Sequence, residues 1–160
     1  MQETAVLVLS IHDHQNSVLA FDLKEVLQAL GKYSEKWTWC ITRLECIGRE
    51  DSETMCQAVE TAGASGIWAS WQELVKLADK IDQTIEGELL AFPADIDKRT
   101  IAAADLDLGV FPTSKAELAI VVVDSSYFEI YAKDPGIAAT IRGHFQEVYV
   151  QDPSKYFCHS

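Results

Sequence analysis

Histidines 12 and 14, in His12-x-His14, would set two imidazoles on one side of an extended segment, as metal sites do. Two ligands do not close a coordination sphere, and no carboxylate or cysteine stands at diagnostic spacing, so the pair reads as loop. Asp95-Ile-Asp97 and Asp105-Leu-Asp107 resemble fragments of a calcium loop. The third oxygen ligand is missing in both, because Arg99 and Gly109 stand where it belongs. Cysteine with histidine makes a nucleophile pair in some enzymes. Here Cys158 and His159 are adjacent near the end of the chain, while Cys40 and Cys46 sit in an apolar run where cysteine behaves as a small hydrophobe. His144 would have to reach a cysteine through the fold. A hydrolase elbow, a phosphate loop and a dinucleotide fingerprint are absent, so no catalytic residue, metal or cofactor is expected.

Four tryptophans form the other conspicuous group. Trp37 and Trp39 share one face of a predicted strand, and Trp68 and Trp71 bracket a helix start. Aromatics dominate core energetics, so core filling is the first reading. The second is that some of them anchor a partner, since tryptophan is enriched at binding surfaces.

The elements that must position these residues follow from periodicity. Ala119–Val123 is a continuous apolar run, expected as a strand buried on both faces. Asp124, Ser125 and Ser126 break it as a turn. Tyr127–Tyr131 then alternates, with Tyr127, Glu129 and Tyr131 on a side that meets water. A helix over 138–145 and a strand over 148–150 close the unit. Upstream, Ala5–Ile11 reads as a strand, 12–17 as a loop, and Val18–Phe21 as another paired strand or a direct lead into a helix. A helix follows from an Asp22 N-cap with Glu25 as its capping-box partner, ending at Gly31. Trp37–Ile47 reads as a long strand with Trp37, Trp39 and Ile41 on one face and Thr38, Cys40, Thr42, Leu44 and Cys46 on the other. A helix over 54–62 is stopped by Gly63. Ser70 and Glu73 make a second capping box before a helix carrying Leu74, Leu77, Ala78 and Ile81 on one side. A strand over 84–92 has Gly87 as a bulge or close-approach point. Residues 94–115 read as a turn or two of helix and then loop. The expected fold is α+β: a single domain over 1–160 with a mixed or mostly antiparallel sheet and helices packed on one face.

At 160 residues and 48% hydrophobic content the chain can bury roughly 70% of its unfolded surface. The net charge of −12 disfavours nucleic acid and anionic membranes and favours a basic protein partner. Between Asp82 and Asp107 seven acids face only Lys98 and Arg99. Met1–Thr4 carries no basic leader, no run is long enough to span a membrane, and the four cysteines lack framework spacing. A cytoplasmic protein with free thiols is the expectation.

Two stretches, Gln83-Thr84-Ile85-Glu86-Gly87-Glu88 and Asp124-Ser125-Ser126-Tyr127-Phe128-Glu129-Ile130-Tyr131, continued by Asp134 and Phe145, carry a resemblance. Over roughly residues 70 to 150 the chain resembles small bacterial α+β proteins of the immunity or toxin-accessory kind. The resemblance implies a cytoplasmic protein that binds another protein, and brings no catalytic residues.

The expected function is therefore an acidic protein-binding module, an immunity-type inhibitor of a basic toxin. The expected partner-binding residues are Glu86, Glu88, Asp95, Asp97, Asp105 and Asp107, with Trp37, Trp39, Trp68 and Trp71 as aromatic anchors. The alternatives are a small enzyme whose Cys–His or carboxylate site is assembled from distant residues, and a structural homodimer. A deep pocket of converging ionisable groups would favour the enzyme, and a self-complementary apolar patch the dimer.

Overall fold

The computed structural model describes residues 5–157, so Cys158 and His159 lie outside the described residues. The chain is α+β. Seven antiparallel strands form one sheet in the order β5-β4-β6-β7-β8-β1-β9. They are β1 (Leu7–Ile11), β4 (Trp37–Gly48), β5 (Ile67–Ala69), β6 (Ile81–Pro93), β7 (Leu118–Val123), β8 (Tyr127–Ala132) and β9 (Val148–Gln151). Within the expected loop, β2 (His14–Gln15) pairs with β3 (Val18–Leu19), which lies in the stretch read as another strand or a lead into the helix. This two-stranded ribbon turns at Asn16 and Ser17, both with positive φ, as two-residue hairpins require. Asp124 and Ser125 do the same between β7 and β8, closed by Ser126 N–H to Val123 O at 2.8 Å.

Among the described residues the α-helices pack on one face: α1 (Leu23–Ala29), α2 (Glu50–Ala62), α3 (Trp71–Lys80) and α4 (Gly136–Arg142). Leu23, Val26 and Leu27 of α1, Val59 of α2, Leu74 and Leu77 of α3, and Ile137 and Ile141 of α4 bury against Leu9, Ile11, Trp39, Ile41, Leu89, Ile120 and Ile130 of the sheet. Apolar side chains recur every three or four residues along α1 and α3, so each presents one stripe to the core. Ser70 and Glu73 form the expected capping box. Asp22 does not form one with Glu25, whose N–H bonds to the Asp22 main-chain carbonyl. The Asp22 carboxylate instead caps Leu23 N at 2.7 Å and reaches β6, accepting from Thr84 N at 2.9 Å and Thr84 Oγ1 at 2.6 Å.

The second face is covered over half its extent, and here two expectations are corrected. Residues 98–113 are neither α-helix nor loop but three 3-10 turns, over 98–100, 103–106 and 108–113. Leu106 and Phe111 from these turns, with Tyr156 and Phe157 from the C-terminal end, pack on Val8, Cys40, Leu90, Phe92, Ala119, Val121 and Tyr131. Glu129 and Tyr131 are therefore buried, each 5% exposed, although alternation alone would face them to water. The Lys133 amine fixes the strap by donating to Ser114 O while lying 5.1 Å from the Phe111 ring centre.

The third correction concerns β4. Ile41 opposes Leu89 but Arg43 opposes Glu88, so Thr42 is an extra residue. Such a bulge reverses which side chains face which layer. Leu44 and Cys46 thus join the Trp37–Trp39–Ile41 side, against the helices. Further irregularities in the same pair make Ile85 and Asp82 the extra residues on β6. Gly87 is a close-approach point: a Cβ there would lie 3.2 Å from Val122 Cγ2. At the end of β4, a Cβ on Gly48 would collide with Lys80 O and Ile81 Cα, so only glycine lets β4 pass this close.

Candidate functional site

Residues directly opposed in an antiparallel sheet share a face, so the register lays the second face out in rows. One row runs Cys40, Leu90, Ala119, Tyr131, Val8, Gln151, and lies under the strap and the C-terminal aromatics. The next runs Arg43, Glu88, Val121, Glu129, Ser10, Tyr149 across six strands. Beyond it, Glu45 opposes Glu86 and Val123 opposes Tyr127. His12 follows β1 at this level, its ring stacked on Tyr127 with centres 4.9 Å apart and edge-on to Tyr149 at 5.4 Å. Val121, Glu129 and Ser10 in the middle of these two rows are buried, and the accessible remainder, chiefly Glu45, Glu86, Glu88, Tyr127 and Tyr149, forms an acidic and aromatic half-face.

The electrostatics follow from partial cover. Burial holds the Glu129 carboxyl above its usual range, opposed by a hydrogen bond from Tyr156. Burial also raises the Tyr127 phenol, helped by the charges of Glu129 and Glu86. Tyr156 is raised by burial and by the same Glu129 bond. Glu88 is half-buried and tied in place by Thr42, whose hydroxyl donates to Glu88 O at 3.3 Å and lies 3.4 Å from its carboxylate. Gln151 Nε2 donates to Ser10 Oγ at 2.8 Å. Sequence reasoning placed none of Arg43, Glu45, Glu129, Tyr127, Tyr149 and Tyr156 in a site, and weighed His12 only as a metal ligand beside His14. Only the alternation around Glu129 was visible, and the pairing that unites them spans most of the chain.

Of the ten expected partner-binding residues, Glu86 and Glu88 lie on this half-face. Asp107 joins Glu88 at its margin, where both line a recess of about 410 Å³ with Thr42, Leu106 and Leu108. Asp107 also caps its own turn through Gly109 N at 2.7 Å. Asp105 accepts from Ala102 N at 2.8 Å, and Asp97 is engaged by Arg99 through its backbone N–H and its guanidinium at 3.0–3.1 Å. Their carboxylates serve local turns. Asp95 is exposed in the turn after β6.

The tryptophans do not form one surface. Trp37 and Trp39 are buried, 6% and 0% exposed, and pack edge-to-face at 5.8 Å in the helix-side core. Trp68 is on the opposite face, half-buried against Phe92 at 5.2 Å with Lys98 Nζ over its ring. Trp71 lines an apolar groove of about 360 Å³ between α1 and α3, with Leu27 and Val75. Among the described residues no three histidines, cysteines or acids converge as a metal set. No helix of the described residues is long and apolar enough to cross a membrane. Cys40 and Cys46 each approach a carbonyl, Ser65 O and Ser52 O, at 3.9 Å, and His144 Nδ1 lies 3.0 Å from Thr140 O.

The family model described as "Protein of unknown function (DUF2691)" matches residues 7–154. No curated protein and no solved structure matches the chain. The matched span starts with β1 and runs past β9, so it contains every strand of the sheet and all the rows described above. The chain belongs to the DUF2691 family.

Proposed function

We propose that this protein is a cytoplasmic protein-binding module, acting without turnover, that takes a basic partner on the open half of its second sheet face. The observation that carries the reading is the pairing of Glu45 with Glu86. Like charges directly opposite across two strands are unfavourable, and nothing in folding calls for them there. A lysine or arginine placed over the pair removes that repulsion. Glu88 extends the acid surface, and Tyr127, Tyr149 and His12 offer ring faces and edges beside it, suited to cationic side chains. The net charge of −12 adds long-range attraction. The resemblance to immunity-type proteins names one class of such partner, a basic toxin neutralised by direct binding.

The test is capture from extract of the native host at low salt, followed by association rates with the purified partner. Glu86→Lys with Glu88→Lys should slow association strongly at low salt. The difference should shrink at physiological salt, where the screening length is about 8 Å. A captured partner that is acidic, or a parental on-rate in the double variant at low salt, would refute the reading.

A further inference from the structure

The cleft between β4 and α2 encloses about 530 Å³ and brings Cys46 and Cys56 in from opposite walls. The bulge at Thr42 is what turns Cys46 toward the helix layer. Its Sγ lies 3.9 Å from Ser52 O. Ser52 is one helical turn before Cys56, and side chains on a helix lean back over the preceding turn. Cys56 therefore leans back toward the Ser52 turn, into the cleft that Cys46 also lines. Both residues are partly accessible. Cys40 differs: it is 0% exposed and closed in by the backbone at Gly66.

We infer that Cys46 and Cys56 form a dithiol site that a hydroperoxide oxidises to an intramolecular disulfide, joining β4 to α2. In the first step the Cys56 thiolate attacks a peroxide oxygen. An S–O bond forms, the O–O bond breaks, and the leaving oxygen takes a proton to depart as water, or as an alcohol from an organic peroxide. In the second, the Cys46 thiolate attacks the sulfenic sulfur. An S–S bond forms, the S–O bond breaks, and hydroxide leaves with a proton as water. Two thiols thus lose two electrons and two protons, and one peroxide is reduced. Burial and the neighbouring Cys56 thiol push the Cys46 thiol up to about 12, so its thiolate is scarce at neutral pH. The second step therefore accelerates as pH rises. Cys46 packs on the helix side of the sheet, while Arg43 and Glu45 of the partner-binding half-face line the same cleft at the free end of β4.

Trypsin separates all four cysteines, placing Cys40 on 37–43, Cys46 on 44–49, Cys56 on 50–76 and Cys158 on 156–160. Native wild-type protein is treated with hydrogen peroxide, alkylated in denaturant, digested and weighed. The expected product joins 44–49 to 50–76 with the loss of two hydrogens, leaves 37–43 alkylated, and forms faster at higher pH. Full alkylation of Cys46 and Cys56, a link from either to 37–43 or 156–160, or sulfinic acids without a link would overturn the proposal. In Cys46→Ser, Cys56 should persist as a sulfenic acid that dimedone labels. An unlabelled Cys56 in that variant would overturn the order of attack.

Discussion

Asp22 holds Thr84 across 62 residues of sequence: its carboxylate accepts both the Thr84 N–H, at 2.9 Å, and the Thr84 hydroxyl, at 2.6 Å. The same carboxylate caps α1 through Leu23 N. One side chain thus anchors the first helix to the longest strand, next to the place where Ile85 bulges out of the β4–β6 ladder. Thr84 is 1% exposed, so water cannot replace Asp22 there. Asp22→Ala removes a cap worth about 1 kcal/mol. It also leaves buried donors unsatisfied, at about 1–3 kcal/mol. Denaturant unfolding should show a total loss of about 2–4 kcal/mol. Asp22→Ala added to Thr84→Val should cost clearly less than the sum of the two alone. Additive losses would mean the two residues are not coupled.

Glu129 makes stability depend on pH in a defined direction. Its carboxyl is held above the usual range by burial, so the native state keeps the proton to higher pH than the unfolded chain does. Between the unfolded value of about 4.3 and the raised native value, the native state binds more protons. Stability then falls as pH rises through that window, and the loss is complete above it. Glu129→Gln, neutral throughout, should therefore be more stable than the parent at pH 7 and match it at pH below about 4. Chemical denaturation at both pH values checks this. A variant destabilised at pH 7 would show that the charged form is the one the fold prefers.

Val121 stands between Glu88 and Glu129 in its row and is 8% exposed. Val121→Asp would put a third carboxyl between two others under the strap. The expected loss is about 3–5 kcal/mol, or a variant that folds only at acid pH where the new group is neutral. Val121→Thr, which keeps the shape and adds one hydroxyl, should lose much less. Equal melting of Val121→Asp and the parent would remove β7 from the centre of the sheet.

These residues also mark what the sequence discloses. The hairpin at Asp124–Ser126 and the box at Ser70 and Glu73 are legible because turn and cap chemistry acts within four residues. Asp22 is legible as a cap, but its hold on Thr84 is not, because that bond depends on where the sheet places β6. The period-two pattern of β4 extends correctly to Ile41 and then misleads, since the extra residue Thr42 exchanges the faces. That one bulge hides Arg43 and Glu45 from the acidic face and Cys46 from its partner on α2. The acid-rich stretch reads as one surface, yet Asp97, Asp105 and Asp107 serve turns of a strap whose apolar residues are spaced for neither helix nor strand. Composition shows the charge; only the sheet register shows that Glu86 and Glu88 share a face with Glu45 and Tyr127.

The facing of Glu45 and Glu86 separates a binding role from a folding role by sign. If the pair exists for the fold, removing either charge should cost stability. Cross-strand energetics say the reverse: directly opposed like charges destabilise by roughly 0.2–1 kcal/mol. Glu45→Gln and Glu86→Gln should each raise the stability of the free protein by a few tenths of a kcal/mol to about 1 kcal/mol, most at low salt. The double variant should gain less than the sum, because the first substitution already removes the repulsion. The same variants should bind a basic partner more weakly, since two carboxylates hold a cation better than one. Denaturant midpoints measured at two salt concentrations, with partner affinity on the same samples, give both signs. Stability and affinity falling together would assign the pair to the fold and move the interface away from β4 and β6.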